Sequence, residues 1–163
     1  MKNASTKLDI LLHTAEFSMD SMLSNIRSLD TKASIILALF GVLLIPSLEI
    51  LHWAFIYNIC ILLKYAPLFL IVLGIYFNIR SLLPRNYLGV PDVDTLIGDN
   101  NLKNVKSLDD LINILINCYI FNIGKNRDLV KKKIKNIEIS IFLFVSAFSI
   151  ILLFYLFKPL IDT

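Results

Sequence analysis

Charged side chains are scarce in this chain of 163 residues. Asp, Glu, Lys and Arg together make up 18% of the sequence, whereas hydrophobic residues make up 56%. A soluble domain carries about 25% charged residues. A soluble fold of this length has too little interior for so much apolar surface, and a disordered chain would need a far lower hydrophobic content. The composition therefore favours a membrane protein.

Cysteine and glycine are also rare, which excludes further classes. Two cysteines, Cys60 and Cys118, are too few for a disulfide scaffold. The five glycines are too dispersed to form a phosphate-cradling loop. The acidic pair Asp109 and Asp110 stands where a helix is expected to begin, and its carboxylates favour the positive end of the helix dipole. No nucleophile-elbow or zinc-protease pattern is present. We therefore expect no enzymatic activity, no cofactor and no metal site.

Three long uncharged or nearly uncharged runs indicate an all-α membrane protein. A bilayer-spanning helix needs about 20 predominantly apolar residues. The runs predict spans near residues 32–51, 64–83 and 138–157. The apolar segment 51–63 has two interpretations, because it either lies along the membrane interface or extends the second span. Charged, amphipathic sequence precedes the first run, so we expect an uncleaved anchor and no signal peptide.

The distribution of cations predicts the orientation. Fourteen of the 16 Lys and Arg residues lie within residues 1–32 or 80–137, and the other two are Lys64 and Lys158. Loops rich in Lys and Arg stay in the cytoplasm. The sequence therefore predicts a cytoplasmic N-terminus and an external C-terminus.

The predicted organisation has five parts. Residues 1–31 form a cytoplasmic amphipathic helix, residues 32–83 form a transmembrane hairpin, and residues 84–137 form a cytoplasmic helical region. Residues 138–157 form the third transmembrane helix, and residues 158–163 form an external tail. Within the second cytoplasmic region a helix begins near Ser107, and it either breaks at Gly124 or continues through it.

The basic run at residues 131–135, directly before the third span, is the centre of the candidate ligand site. The run has two interpretations, which are contact with anionic lipid and capture of a phosphate-bearing ligand. The candidate ligand-binding residues are Arg27, Lys125, Arg127, Lys131, Lys132, Lys133 and Lys135.

Residues at the start of the first span are candidates for gating or for the mouth of a pore. Small residues at helical spacing are first of all helix-packing positions, and they also suit a narrow pore. Three helices cannot enclose a water-filled path alone, so a pore requires an oligomer. Asp30 is expected to pair either with Arg27 or with a lysine of the basic run. The candidate residues are Asp30, Lys32, Ser34, Ala38 and Gly41.

The sequence around the first span resembles the Pycsar effector transmembrane family. The resemblance rests on Asp30, Lys32 and Ala33, which precede an aliphatic run containing the small residue Gly41. The layout of helices is also similar over nearly the whole chain. The resemblance implies an antiphage defence effector in the bacterial inner membrane, which permeabilises the membrane as a homo-oligomer, a tetramer or larger.

The resemblance also implies the partners. A neighbouring nucleotidyltransferase or cyclase is expected to make a cyclic nucleotide or oligonucleotide signal, and that signal is expected to open or close the pore. The other expected partner is the lipid bilayer, and duplex nucleic acid is not expected. The alternative function is a ligand-independent, holin-like pore former or an accessory membrane subunit.

Overall fold

The computed structural model describes residues 2–56, 61–83, 86–89 and 107–161, and it is helical as predicted. Within these ranges the helices are α1 (Lys2–Ile56), α2 (Ile61–Leu82) and α3 (Leu108–Ile161). Each is long and apolar enough to cross a membrane. The prediction of an all-α fold with three such helices is confirmed.

The helices run further than the predicted spans. The amphipathic segment 5–31 continues without interruption into the first apolar run as part of α1. Helix α3 passes through Gly124 without a break, which decides between the two alternatives. Residues 51–56 end α1 and residues 61–63 begin α2, so neither interpretation of segment 51–63 describes it fully. Residues 1, 57–60, 84–85, 90–106 and 162–163 lie outside the described part of the chain.

Helices α1 and α2 each contain a proline in their interior. Pro67 is the seventh residue of α2, not a residue of its first turn, and it is almost fully buried. Pro46 lies near the C-terminal end of α1 and has no N–H for the helical bond to Val42. The next residue, Ser47, donates a side-chain hydrogen bond of 2.7 Å to the Leu44 carbonyl.

The chain divides into two compact units. Unit 1 contains Met1–Ser28 and Pro84–Lys131, and unit 2 contains Leu29–Leu83 and Lys132–Thr163. Unit 2 therefore holds most of the apolar sequence, and unit 1 holds the more polar ends of α1 and α3.

Buried positions recur every seven residues on α1 and α3, as in a coiled coil. In unit 1 they are Met19 and Ile26 on α1, with Ile112, Tyr119 and Asn126 on α3. In unit 2 they are Ala33, Phe40 and Ser47 on α1, with Lys133, Ser140 and Ala147 on α3. In unit 2 the contacts between the two helices join residues 103 and 106 positions apart in the sequence, so the helices run parallel there. In unit 1 the contact between Met19 and Asn126 joins residues 107 positions apart.

The core of unit 2 is built around the ring of Phe40. This ring meets Phe144 edge-on at a centroid distance of 5.4 Å and packs with Ile71 of α2. A Cβ atom on Gly74 would lie 2.1 Å from Phe40 Cζ, which no side chain tolerates. Gly74 is therefore the residue that lets α2 approach the ring. Outside this core, unit 2 exposes large apolar side chains, among them Val42, Ile45, Phe69 and Phe142. Apolar surface of this kind suits a lipid environment.

Candidate functional site

An ion pair joins the start of the first apolar run to the basic run of α3. Lys133 donates to the Asp30 carboxylate, which confirms one of the two partners expected for Asp30. The Lys133 side chain is only 3% exposed, whereas that of Asp30 is 42% exposed. The heptad spacing explains this geometry, because Lys133 occupies the buried position that follows Asn126 by seven residues. Lysine is almost never buried without a partner.

Burial separates Lys133 from the other candidate ligand residues. Lys133 is not presented to solvent, so it does not share the surface on which its neighbours lie. Every other member of the set has an exposed side chain, namely Arg27, Lys125, Arg127, Lys131, Lys132 and Lys135. Within unit 1, Arg127 and Lys131 stand four residues apart and therefore lie one helical turn apart on the same face of α3.

The other gating candidates lie on the outer surface of α1. Lys32, Ser34, Ala38 and Gly41 are all exposed, and a Cβ atom on Gly41 would meet nothing within 4 Å. The Ser34 hydroxyl donates to the Asp30 carbonyl at 3.0 Å. This small-residue face is thus open in the single chain.

A buried polar cluster in unit 2 was missed at the sequence level. Asn78 Nδ2 donates to Ser140 Oγ at 3.3 Å, and the Ser140 hydroxyl donates to the Gly74 carbonyl at 3.1 Å. Asn78 Oδ1 is buried without a hydrogen-bond partner among the described residues. The seven-residue spacing from Lys133 to Ser140 is the sequence feature that could have predicted a buried Ser140. It ties α2 to α3 through hydrogen bonds inside an otherwise apolar unit.

Unit 1 is organised around Asn126, which is fully buried. Its Oδ1 accepts the Leu88 N–H at 3.0 Å, and its Nδ2 donates to the Leu88 carbonyl at 2.7 Å. Nδ2 also lies 4.0 Å from the sulfur of Met19. One turn earlier, Asn122 donates to the Gly89 carbonyl at 3.0 Å. The two asparagines therefore hold segment 86–89 against α3, and sequence analysis did not single out either of them.

Tyr119 is a buried titratable group among the described residues of unit 1. Burial raises the pKa of its phenol, and the nearby carboxylates of Glu16 and Asp20 raise it further. The phenol therefore stays neutral at physiological pH.

A groove of about 630 Å³ opens beside segment 86–89 in unit 1. Its lining comprises Asn86, Leu88, Ile120, Phe121, Gly124, Lys125, Asn126, Asp128 and Leu129. Ile120 and Phe121 are more than half exposed, and the Lys125 ammonium lies 5.2 Å from the centroid of the Phe121 ring. Gly124 leaves the groove open, because a Cβ atom there would meet nothing within 4 Å.

No group of three or more His, Cys, Asp or Glu residues that could hold a metal ion occurs in the described ranges.

Comparison with known proteins gives one family. The family model described as the Pycsar effector protein domain, PycTM, matches residues 14–158. The match includes the ion pair, the basic residues of α3 and the groove. No curated protein and no solved structure gives a significant match.

Proposed function

This chain belongs to the Pycsar effector family, and we propose that it forms a homo-oligomeric pore in the bacterial inner membrane under the control of a nucleotide signal. The family is one of antiphage defence effectors, and the three apolar helices make this member a membrane protein. The signal is a cyclic nucleotide or oligonucleotide from a partner nucleotidyltransferase or cyclase. The effector itself is not an enzyme, and it acts by changing membrane permeability.

The observation that carries the nucleotide control is the exposed basic face of α3. Arg127 and Lys131 are both exposed and lie one turn apart. Two cations at this spacing can contact the oxygens of one phosphate, and such charge-assisted bonds are stronger than neutral ones. In the proposed topology this face lies in the cytoplasm, where the signal is made.

The ion pair and the open face of α1 support the pore. The Asp30–Lys133 pair joins α1 to α3 at the start of the apolar sequence, so it is placed to hold one arrangement of the two helices. The exposed face with Ser34, Ala38 and Gly41 offers a close approach to another copy of the chain. The core of unit 2 is filled by Phe40 and its neighbours, so the water path belongs between copies.

Nucleotide binding tests the proposed control. We expect purified protein to bind one of the 3′,5′-cyclic mononucleotides of A, C, G or U, or a short cyclic oligonucleotide, in calorimetric titration. Arg127→Gln with Lys131→Gln should weaken that binding at least about tenfold per lost cation, because a hydrogen bond to a charged group contributes about 1.5–3 kcal/mol.

The matched control removes two cations elsewhere, by Lys7→Gln with Lys158→Gln, and it should leave binding unchanged. Both variants are first checked for membrane insertion. If the native protein binds none of these nucleotides, the ligand-independent, holin-like function replaces this proposal. Equal weakening by both double variants would contradict the site.

A further inference from the structure

We propose that the groove beside segment 86–89 receives Phe17 from a second copy of this chain. The inference deepens the proposed function, because it rests on the assembly of several copies and names the surface through which unit 1 takes part. Four features of unit 1 support Phe17 as the occupant. They are the exposed apolar face of α1, the open groove on α3, the similar positions of the two surfaces along their helices, and the opposite charges beside them.

The exposed apolar face lies on α1. Phe17 is 69% exposed and Ile10, seven residues earlier on the same face, is 61% exposed. Together with Asp9, His13 and Thr14 they line a shallow hollow of about 520 Å³. Unit 1 carries the polar ends of the helices, so these side chains face water in a single copy. Apolar patches of this kind mark interaction surfaces.

The groove on α3 has the shape to accept an aromatic ring. Its lining is mainly apolar, and Gly124 contributes no side chain, so the backbone of another helix can come close. Ile120 and Phe121 project beside it and are themselves exposed. Burial of Phe17 there would remove apolar surface of both copies from water, which stabilises the contact by about 25 cal/mol per Å² of that surface.

The levels of the two surfaces agree. Met19 and Asn126 are in contact, so they lie within a side-chain length of the same level on the parallel helices α1 and α3. Phe17 and Gly124 each stand two residues earlier, about 3 Å further toward the N-terminus of their helix. Copies in a closed ring are related by rotation without translation along the axis. Phe17 of one copy therefore meets the groove of its neighbour at Gly124.

Charges of opposite sign surround these two surfaces. No Lys or Arg occurs between residues 8 and 26, where Glu16 and Asp20 flank Phe17 and are exposed. Lys125 is adjacent to Asn126, which contacts Met19, so it lies near the level of these two carboxylates. The neighbour's Lys125 is thus placed to reach Glu16 or Asp20, and this match fixes which surfaces meet.

Site-specific crosslinking between two differently tagged copies tests this contact. Both copies carry Cys60→Ser and Cys118→Ser, one adds Phe17→Cys, and the other adds Gly124→Cys. After co-expression, oxidation of isolated membranes with copper phenanthroline should give a mixed-tag dimer. The matched control replaces Phe17→Cys by Ile10→Cys, which lies on the same face but about 10 Å away along α1. That pair should give several-fold less dimer, because a disulfide needs Cα atoms about 4.4–6.8 Å apart.

A charge exchange provides a second measurement on the same pair of copies. Lys125→Glu in the Gly124→Cys copy should lower the mixed dimer several-fold, and Asp20→Lys in the other copy should restore it. Equal crosslinking of the Phe17 and Ile10 pairs would overturn the proposal, and so would a charge exchange without effect. Nucleotide binding is measured separately by titration, so loss of crosslinking with binding intact refutes only this contact.

Discussion

Asp30→Asn should be among the most destabilising single substitutions in unit 2. It removes the carboxylate that pairs with Lys133, whose side chain is almost fully buried. Breaking a buried ion pair from one side costs about 3–5 kcal/mol, and the partial exposure of Asp30 favours the lower end. For a chain of this length about 3 kcal/mol corresponds to a fall of roughly 6–12 °C in the melting temperature. Thermal unfolding of the detergent-solubilised protein, followed by fluorescence, measures this shift.

Three further variants separate the effect of the ion pair from a general effect of charge. Lys133→Met removes the buried ammonium and leaves Asp30 partly solvated, so it should cost less than Asp30→Asn. The same change made in the Asp30→Asn protein should recover much of the lost stability, because an apolar side chain needs no counter-charge. Lys132→Gln, at the exposed neighbouring position, should stay within about 0.5 kcal/mol of the native protein. A native melting temperature for Asp30→Asn would show that the pair contributes nothing.

Asn126→Ala should produce the largest loss of stability in unit 1. The amide forms both hydrogen bonds to the Leu88 backbone and fills a fully buried position. A backbone group left without its partner costs about 1–3 kcal/mol, and Leu88 is partly exposed, so loss of the two bonds should cost roughly 2–4 kcal/mol in all. Segment 86–89 should then detach from α3. Limited proteolysis in detergent should reveal faster cleavage within this segment.

Asn122→Ala is the matched control for this experiment. It removes one exposed hydrogen bond to the Gly89 carbonyl on the same helix. We expect a cost of about 1 kcal/mol and only a small change in cleavage rate. Because Leu88 lines the groove, Asn126→Ala should also abolish the mixed dimer of the crosslinking experiment. Equal cleavage rates for the two alanine variants would contradict the central role of Asn126.

The apolar runs were sufficient to predict the all-α fold, because three separate stretches reach spanning length. They left two points open, which were the course of segment 51–63 and the continuity of the last helix at Gly124. The amphipathic segment 5–31 and the first span share one helix because no residue between them stops it, and Gly124 alone does not end α3. A single glycine costs only about 1 kcal/mol in a helix interior, and neighbouring contacts outweigh it.

The sequence predicted the candidate site less completely than the fold. The Asp30–Lys133 pair was one of two alternatives, since sequence spacing alone cannot choose between a partner on the same helix and one on another helix. Burial of Lys133 was missed because the basic run was interpreted as a single surface. A seven-residue count from Tyr119 would have placed Asn126, Lys133 and Ser140 in one buried row. The hydrogen bonds between Asn126 and Leu88 join residues 38 positions apart, so no local sequence pattern predicts them.

Ion flux from proteoliposomes tests the central claim most directly. The purified chain is reconstituted into vesicles of bacterial phospholipid, and potassium release is followed with and without each cyclic nucleotide at a concentration that saturates binding. A nucleotide-controlled pore predicts that one nucleotide changes the flux at least about tenfold, which corresponds to a coupling free energy of about 1.4 kcal/mol. Arg127→Gln with Lys131→Gln should remove that response while the lysine control pair keeps it. Flux that is the same with and without every nucleotide, or no flux under any condition, would contradict the account.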